Sequence, residues 1–132
     1  SLGISQLKKI NKWIKKKNQI GQFYKKKLPS YKVKFQHITK NSLSSYHLFI
    51  IIVDKKIRNK IYFRLKKQGI TTNVHYIPIH THQYYQDIGF NRNKFKNVNE
   101  YFNRCISLPM YPKLTITDLD KIIKSLAKIL KK

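Results

Sequence analysis

Between Tyr46 and Val53 the chain reads "YHLFIIIV", a run of β-branched and aromatic side chains with hardly a polar position in it. A half-exposed strand alternates apolar and polar residues, and this one does not. It predicts a buried strand at the centre of a sheet, so the rest of the chain must supply layers that cover it. The unbroken apolar part, Leu48 to Val53, is far too short to cross a bilayer, which takes about 20 residues. No charged-then-apolar leader opens the sequence. The reading is of a protein outside the membrane.

Around that strand the patterning is mostly helical. In "SLGISQLKKINKWIKKKNQIGQFYKKKL", Leu7, Ile10, Trp13, Ile14, Ile20, Phe23, Tyr24 and Leu28 recur near helical spacing with lysines between them, and Pro29 ends the segment. The helix begins with neither a cap nor an initiator Met, which leads us to expect a missing upstream portion. Ile57, Ile61 and Leu65 share one helical face, and Gly69 supplies a left-handed stop. "ITTNVHY" (70–76) is expected to return as a strand, and "YKVKFQHI" (31–38) is a further strand candidate. Val98, Tyr101, Phe102, Cys105 and Ile106 read as another helix. "LPMYP" follows as an extended connector between Pro109 and Pro112. The last helix buries Leu119, Ile122, Ile123, Leu126, Ile129 and Leu130, and Thr115 with Asp118 resembles a capping box. At 132 residues this order suits one α/β unit with helices packed on a small sheet.

The net charge of +24 points first to nucleic acid, because a basic face gains affinity by releasing counterions. The basic residues are overwhelmingly Lys, however, and Arg, the preferred reader of bases and phosphates, is scarce. Lys, Ile, Asn and Tyr supply roughly half the chain, as A/T-rich codons impose on any protein. Composition bias is the preferred account. A stand-alone basic nucleic-acid-binding module is the alternative, and no sequence-specific nucleic-acid partner is expected. The single Cys105 excludes a disulfide framework and fits a reducing, cytoplasmic setting.

Three histidines, His75, His80 and His82, cluster in "NVHYIPIHTHQYYQDIGF" with Tyr76, Tyr84 and Tyr85. Imidazole binds zinc well, yet the spacing matches no metal signature and no neighbouring Cys or Glu joins it, so no metal is expected. The five carboxylates, Asp54, Asp87, Glu100, Asp118 and Asp120, offer no acid–base pair. The four glycines are isolated, which excludes a phosphate loop or a nucleophile elbow. No lysine stands out as a nucleophile, and no catalytic residue is assigned.

At "GITTNVHYIPIHTHQYYQDIGF" and "RCISLPMYPKLT" the chain resembles the C-terminal part of the DegT/StrS family of PLP-dependent sugar-nucleotide aminotransferases. The order of parts agrees from a "Q-L" helix at Gln6 and Leu7 to the final helix. Within the family, "VHYIPIH…YY…GF" is most similar to members on the pathway to pseudaminic acid. The sequence departs from the common pattern at Lys17, Gln83 and 96–99, where the family often has Arg, Pro and a Pro-x-Ala-Glu run.

The resemblance implies the small C-terminal domain of a fold-type I aminotransferase, with residues 1–30 a helix connecting from a missing large domain and 31–132 the C-terminal α/β domain. It implies amino transfer from L-glutamate to a 4-keto sugar nucleotide, in a homodimer. PLP would be held mainly by the missing domain, since the family's Schiff-base Lys lies in a Ser-His-Lys motif and this sequence contains no His-Lys pair. The fragment alone is expected to be inactive. His75, Tyr76, His80 and Tyr84 are the expected substrate-binding residues, because imidazole and phenol groups hydrogen-bond hydroxyls and phosphates while their rings pack against a sugar.

Overall fold

The computed structural model describes residues 1–29, 32–91 and 93–131. Helices α1 (Leu2–Leu7) and α2 (Ile10–Lys27) are followed by strands β1 (Lys34–Phe35) and β2 (Phe49–Ile52) and helix α3 (Lys55–Lys67). A 3-10 turn over Ile79–Thr81 leads into α4 (Gln83–Asp87), then α5 (Lys96–Arg104), β3 (Cys105–Leu108) and α6 (Ile116–Leu130). The sheet is antiparallel in the order β1-β2-β3, so the "FIII" strand is central, as its composition demanded.

Register divides the sheet into two unlike faces. Phe49 lies opposite Leu108 and Ile51 opposite Ile106, and directly paired residues point the same way. These four join Ile20 and Tyr24 of α2, Ile61 and Leu65 of α3, and the apolar stripe of α6 in one core. Each such side chain contributes about 1.5–3 kcal/mol on burial. Phe49 is the hub, with the Tyr24 ring 4.9 Å and the Tyr46 ring 5.7 Å away. Gly21 lets α2 approach this cluster: a Cβ there would stand 3.0 Å from the Tyr46 ring. The opposite face carries Ile50 and Ile52, both half-buried, paired with Ser107 and Cys105.

Local signals explain the ends of the elements. Asp54 caps α3 by accepting the Lys56 amide at 2.7 Å. Gly69 at φ 71° closes the same helix, with the Ile70 amide reaching back to Leu65. Thr115 and Asp118 form a complete capping box on α6, and Asp serves where Glu or Gln is usual.

Four expectations differ. The N-terminal helix is broken after Leu7, and α1 buries none of its residues, so no packing holds the two pieces in one register. The segment 70–76 is not a strand; it makes only the isolated bridge of Asn73 to Ser107, because the Asn73 side chain accepts the next amide at 2.8 Å and competes with a ladder. Cys105 and Ile106 are not helical: α5 ends at Arg104, and all four residues of β3 are buried. The strand candidate at 31–38 survives as two paired residues of β1. Ser30 and Tyr31, where the expected boundary between two parts of the chain falls, lie outside the described residues.

Candidate functional site

The histidine- and tyrosine-rich segment leaves the sheet at Asn73 and returns at α5. Its first anchor is Ser107, whose amide donates to Asn73 O at 2.8 Å and whose carbonyl accepts the Asn73 amide at 3.2 Å. Two residues on, His75 falls on the same side of the chain. Its Nδ1 lies 2.8 Å from Ser107 Oγ. The His75–Tyr76 peptide bond is cis, and the two rings meet edge to face at 4.7 Å.

The second anchor is His80, in the 3-10 turn. It is one of three buried polar residues among those described, with Thr72 and Ser107. Its Nε2 lies 2.9 Å from Asn99 Oδ1, an acceptor, so the imidazole donates to α5. The ring also packs on Phe95 at 4.8 Å. From Phe95, contacts run to Phe90 at 6.5 Å, then to Tyr85 at 5.7 Å and Tyr84 at 5.3 Å. Gln86 Nε2 donates to Thr81 O at 2.6 Å, which ties α4 to the turn before it. The rings of His80, Phe95, Phe90, Tyr85 and Tyr84 thus form a contiguous run apart from the main core, buried at His80 and exposed at Phe95, Phe90 and Tyr84.

The four residues singled out from sequence therefore separate. Tyr76 and Tyr84 are 74% and 68% exposed, with phenols free to meet a ligand. His75 is half-buried over the sheet edge. His80 turns inward, onto Asn99 and Phe95. Ile77, Ile79, Ile88 and Phe90 add apolar surface beside the tyrosines. Ser107 and Asn99, which hold the two histidines, were not singled out. A signal existed for Ser107, the one hydroxyl inside the apolar run "CISL", since a buried polar group needs a partner.

The rest of the surface offers little chemistry. Among the described residues no three His, Cys, Asp or Glu side chains are grouped to hold a metal ion, and no helix is long and apolar enough to cross a membrane. Burial pushes the Cys105 thiol up, with Arg58 partly opposing it, which makes a poor nucleophile at neutral pH. Burial also raises the Tyr101 phenol, with Cys105 adding a smaller push. A cleft of about 380 Å³ between α6 and the connector is lined by Ile70, Pro109, Tyr111, Leu114 and Ile122, away from the histidines. A second apolar hollow lies at the start of the chain, where Leu7, Ile10, Trp13 and Ile14 meet Ser45 and His47.

PLP needs an amine held away from water and a carboxylate for its ring nitrogen. No lysine or carboxylate is buried among the described residues. These residues do not by themselves fit the cofactor.

Comparison with known proteins gives a consistent picture. Residues 1–127 match the model of the DegT/DnrJ/EryC1/StrS aminotransferase family. The spore coat polysaccharide biosynthesis protein SpsC of Bacillus subtilis is 32% identical over 140 residues, covering 99% of this chain and 36% of SpsC. Among solved structures, Spr1654 from Streptococcus pneumoniae in its apo-form superposes with a TM-score of 0.91 at 28% identity, over 98% of this chain and 34% of that one. Structures of its PMP- and PLP-forms are similar too. Helicobacter pylori PseC, an aminotransferase involved in the biosynthesis of pseudoaminic acid, superposes with a TM-score of 0.88 at 30% identity, over 98% of this chain and 36% of PseC. The chain spans about a third of the length of the proteins it matches.

Proposed function

The chain belongs to the DegT/DnrJ/EryC1/StrS aminotransferase family, and from that premise we propose that it is the C-terminal portion of a cytoplasmic, homodimeric, PLP-dependent sugar-nucleotide aminotransferase. The amino group comes from L-glutamate and goes to the C4 ketone of a UDP-linked 6-deoxy-N-acetyl sugar. The product is UDP-4-amino-4,6-dideoxy-N-acetyl-β-L-altrosamine, on the way to pseudaminic acid. The family match over residues 1–127 carries this reading. Likeness to PseC supports the choice of sugar. The Schiff-base lysine and the carboxylate for the pyridinium belong to the two thirds of the fold outside these residues. When bound there, the cofactor supplies the electron sink for amino transfer.

This portion handles the sugar nucleotide. Tyr76 and Tyr84 offer exposed phenols and ring faces for hydroxyls and the sugar plane. His75 adds a ring nitrogen from above the sheet edge. His80 acts from behind, pinning the loop to Asn99 so that the tyrosines keep their places.

The test uses the complete enzyme that contains these residues, with 2-oxoglutarate release measured on adding L-glutamate and the UDP-linked 4-keto sugar. Tyr84→Phe should lower kcat/KM for the sugar nucleotide on the order of tenfold if a good hydrogen bond is lost. The half-reaction with glutamate should be unchanged. No turnover of any 4-keto sugar nucleotide, alongside turnover of a different class of ketone, would overturn the proposal.

A further inference from the structure

We infer that Ser107 is a positioning residue that locks neutral His75 as the Nε2–H tautomer, so that this histidine presents a hydrogen-bond donor, and not a base, to an oxygen of the ligand. The inference rests on the proposed reading of His75 as a substrate-side residue.

The argument starts from the serine. Ser107 is 5% exposed, and its Oγ has one hydrogen-bond partner among the described residues, His75 Nδ1 at 2.8 Å. A hydroxyl carries one proton and two lone pairs. If Nδ1–H donated to Oγ, the hydroxyl proton would be buried without an acceptor, a loss that is costly away from water. If Oγ–H donates instead, the proton is satisfied and only lone-pair capacity is unused, which costs less. The serine therefore donates, Nδ1 accepts, and the imidazole proton sits on Nε2.

The backbone keeps that geometry in place. Ser107 lies in β3 and exchanges two backbone hydrogen bonds with Asn73, at 2.8 and 3.2 Å. One residue thus holds the loop at the main chain of Asn73 and at the ring of His75. Nε2 has no hydrogen-bond partner among the described residues. Thr72 Oγ1 is the one buried, unpartnered side-chain polar atom among them, so Nε2 of half-buried His75 is open to solvent. An N–H at that position selects an acceptor, such as a phosphate, hydroxyl or carbonyl oxygen of the sugar nucleotide. It cannot take a proton from the substrate unless the Ser107 bond is rearranged.

The tautomer can be read on the chain itself, without substrate, from long-range 15N–1H correlations of the His75 ring in alkaline buffer. The expected pattern is a pyrrole-type Nε2 and a pyridine-type Nδ1. Ser107→Ala should blur it toward a tautomer mixture, and Ser107→Thr, which keeps a hydroxyl, should restore it. A pyrrole-type Nδ1 in the wild type would overturn the inference with no variant needed. So would an unchanged pattern in a Ser107→Ala chain whose amide spectrum remains folded.

In the complete enzyme, His75→Gln keeps an N–H at similar reach and should hold the KM for the sugar nucleotide within about threefold, whereas His75→Ala should raise it on the order of tenfold. A locked tautomer with KM indifferent to His75→Ala would overturn the donor role and, with it, the substrate-side reading of His75, while the Ser107 lock would stand.

Discussion

Tyr24→Phe removes a single oxygen from the most buried part of the molecule. The side chain is 0% exposed, and its hydroxyl donates to Pro109 O at 2.9 Å, tying α2 to the connector before α6. At neutral pH the loss of that bond, with the carbonyl left facing a ring, costs about 1 kcal/mol. Burial, with a smaller contribution from Tyr111, holds the Tyr24 phenol far above its ordinary value. In the unfolded chain the same phenol ionises near pH 10, at about the reference value for tyrosine.

Because the folded value is the raised one, the stabilisation is complete below about pH 10 and is lost as pH climbs toward the native value, at about 1.4 kcal/mol per pH unit. The Phe variant has no proton to lose. The wild type should therefore be the more stable by about 1 kcal/mol from pH 7 to about 9, match the variant near about pH 11, and fall below it beyond. Urea unfolding of both chains, followed by far-UV circular dichroism across that range, measures the difference. Every other ionisable group is common to the two chains and cancels in the difference. A difference that stays constant through pH 11 would refute the protonated native phenol, and equal stability at pH 7 would show that the Pro109 bond contributes nothing.

Two further perturbations act at the edges of the core. Asp118 is held below the usual carboxylate range by hydrogen bonds from Thr115, side chain first and then backbone; its folded value is depressed, so its stabilisation is present above the ordinary Asp range and disappears as pH falls through the native value. The advantage of the wild type over Asp118→Asn in unfolding midpoint should accordingly be full at pH 7 and shrink on acidification below about pH 4, and an advantage independent of pH would count against the capping box. His80→Ala removes the bond to Asn99 and the packing on Phe95, at a cost of about 1–3 kcal/mol. Amide exchange should rise first within 79–90, with β2 and α6 still protected, and uniform protection in both regions would contradict the anchoring role.

Local chemistry made much of the fold readable in advance. The composition of "FIII" demanded a central strand, the Thr115–Asp118 spacing a capped helix, and Gly69 a left-handed stop; each depends on neighbours within a turn or on a single strand. What escaped depends on distant partners. "CISL" continues the helical spacing of Val98, Tyr101 and Phe102, and only its pairing with β2 makes it a strand. Residues 70–76 have strand composition, yet Asn73 uses its own side chain to turn the backbone. For the candidate site, residue types drew attention to one segment without telling His75 from His80. Which imidazole turns inward is decided by Phe95 and Asn99, fifteen and nineteen positions beyond His80, and no spacing rule within the segment encodes that.

The exposed start of the chain determines how its folding can be observed. Its one tryptophan, Trp13, lines the hollow with Leu7 and Ile10 and is not part of the core that gathers around Phe49. Indole emission therefore reports the fraying or covering of α1 and the first turns of α2. Tyr24 and Tyr46, packed on Phe49, make near-ultraviolet dichroism a witness of the core. A melt followed by tryptophan should precede one followed by far-ultraviolet signal, and the gap between them measures how weakly α1 and the first turn of α2 are coupled to the rest. A macromolecule that covers Leu2, Ile4 and Leu7 should close that gap and shift the emission to shorter wavelength, giving a built-in optical assay for whatever binds there.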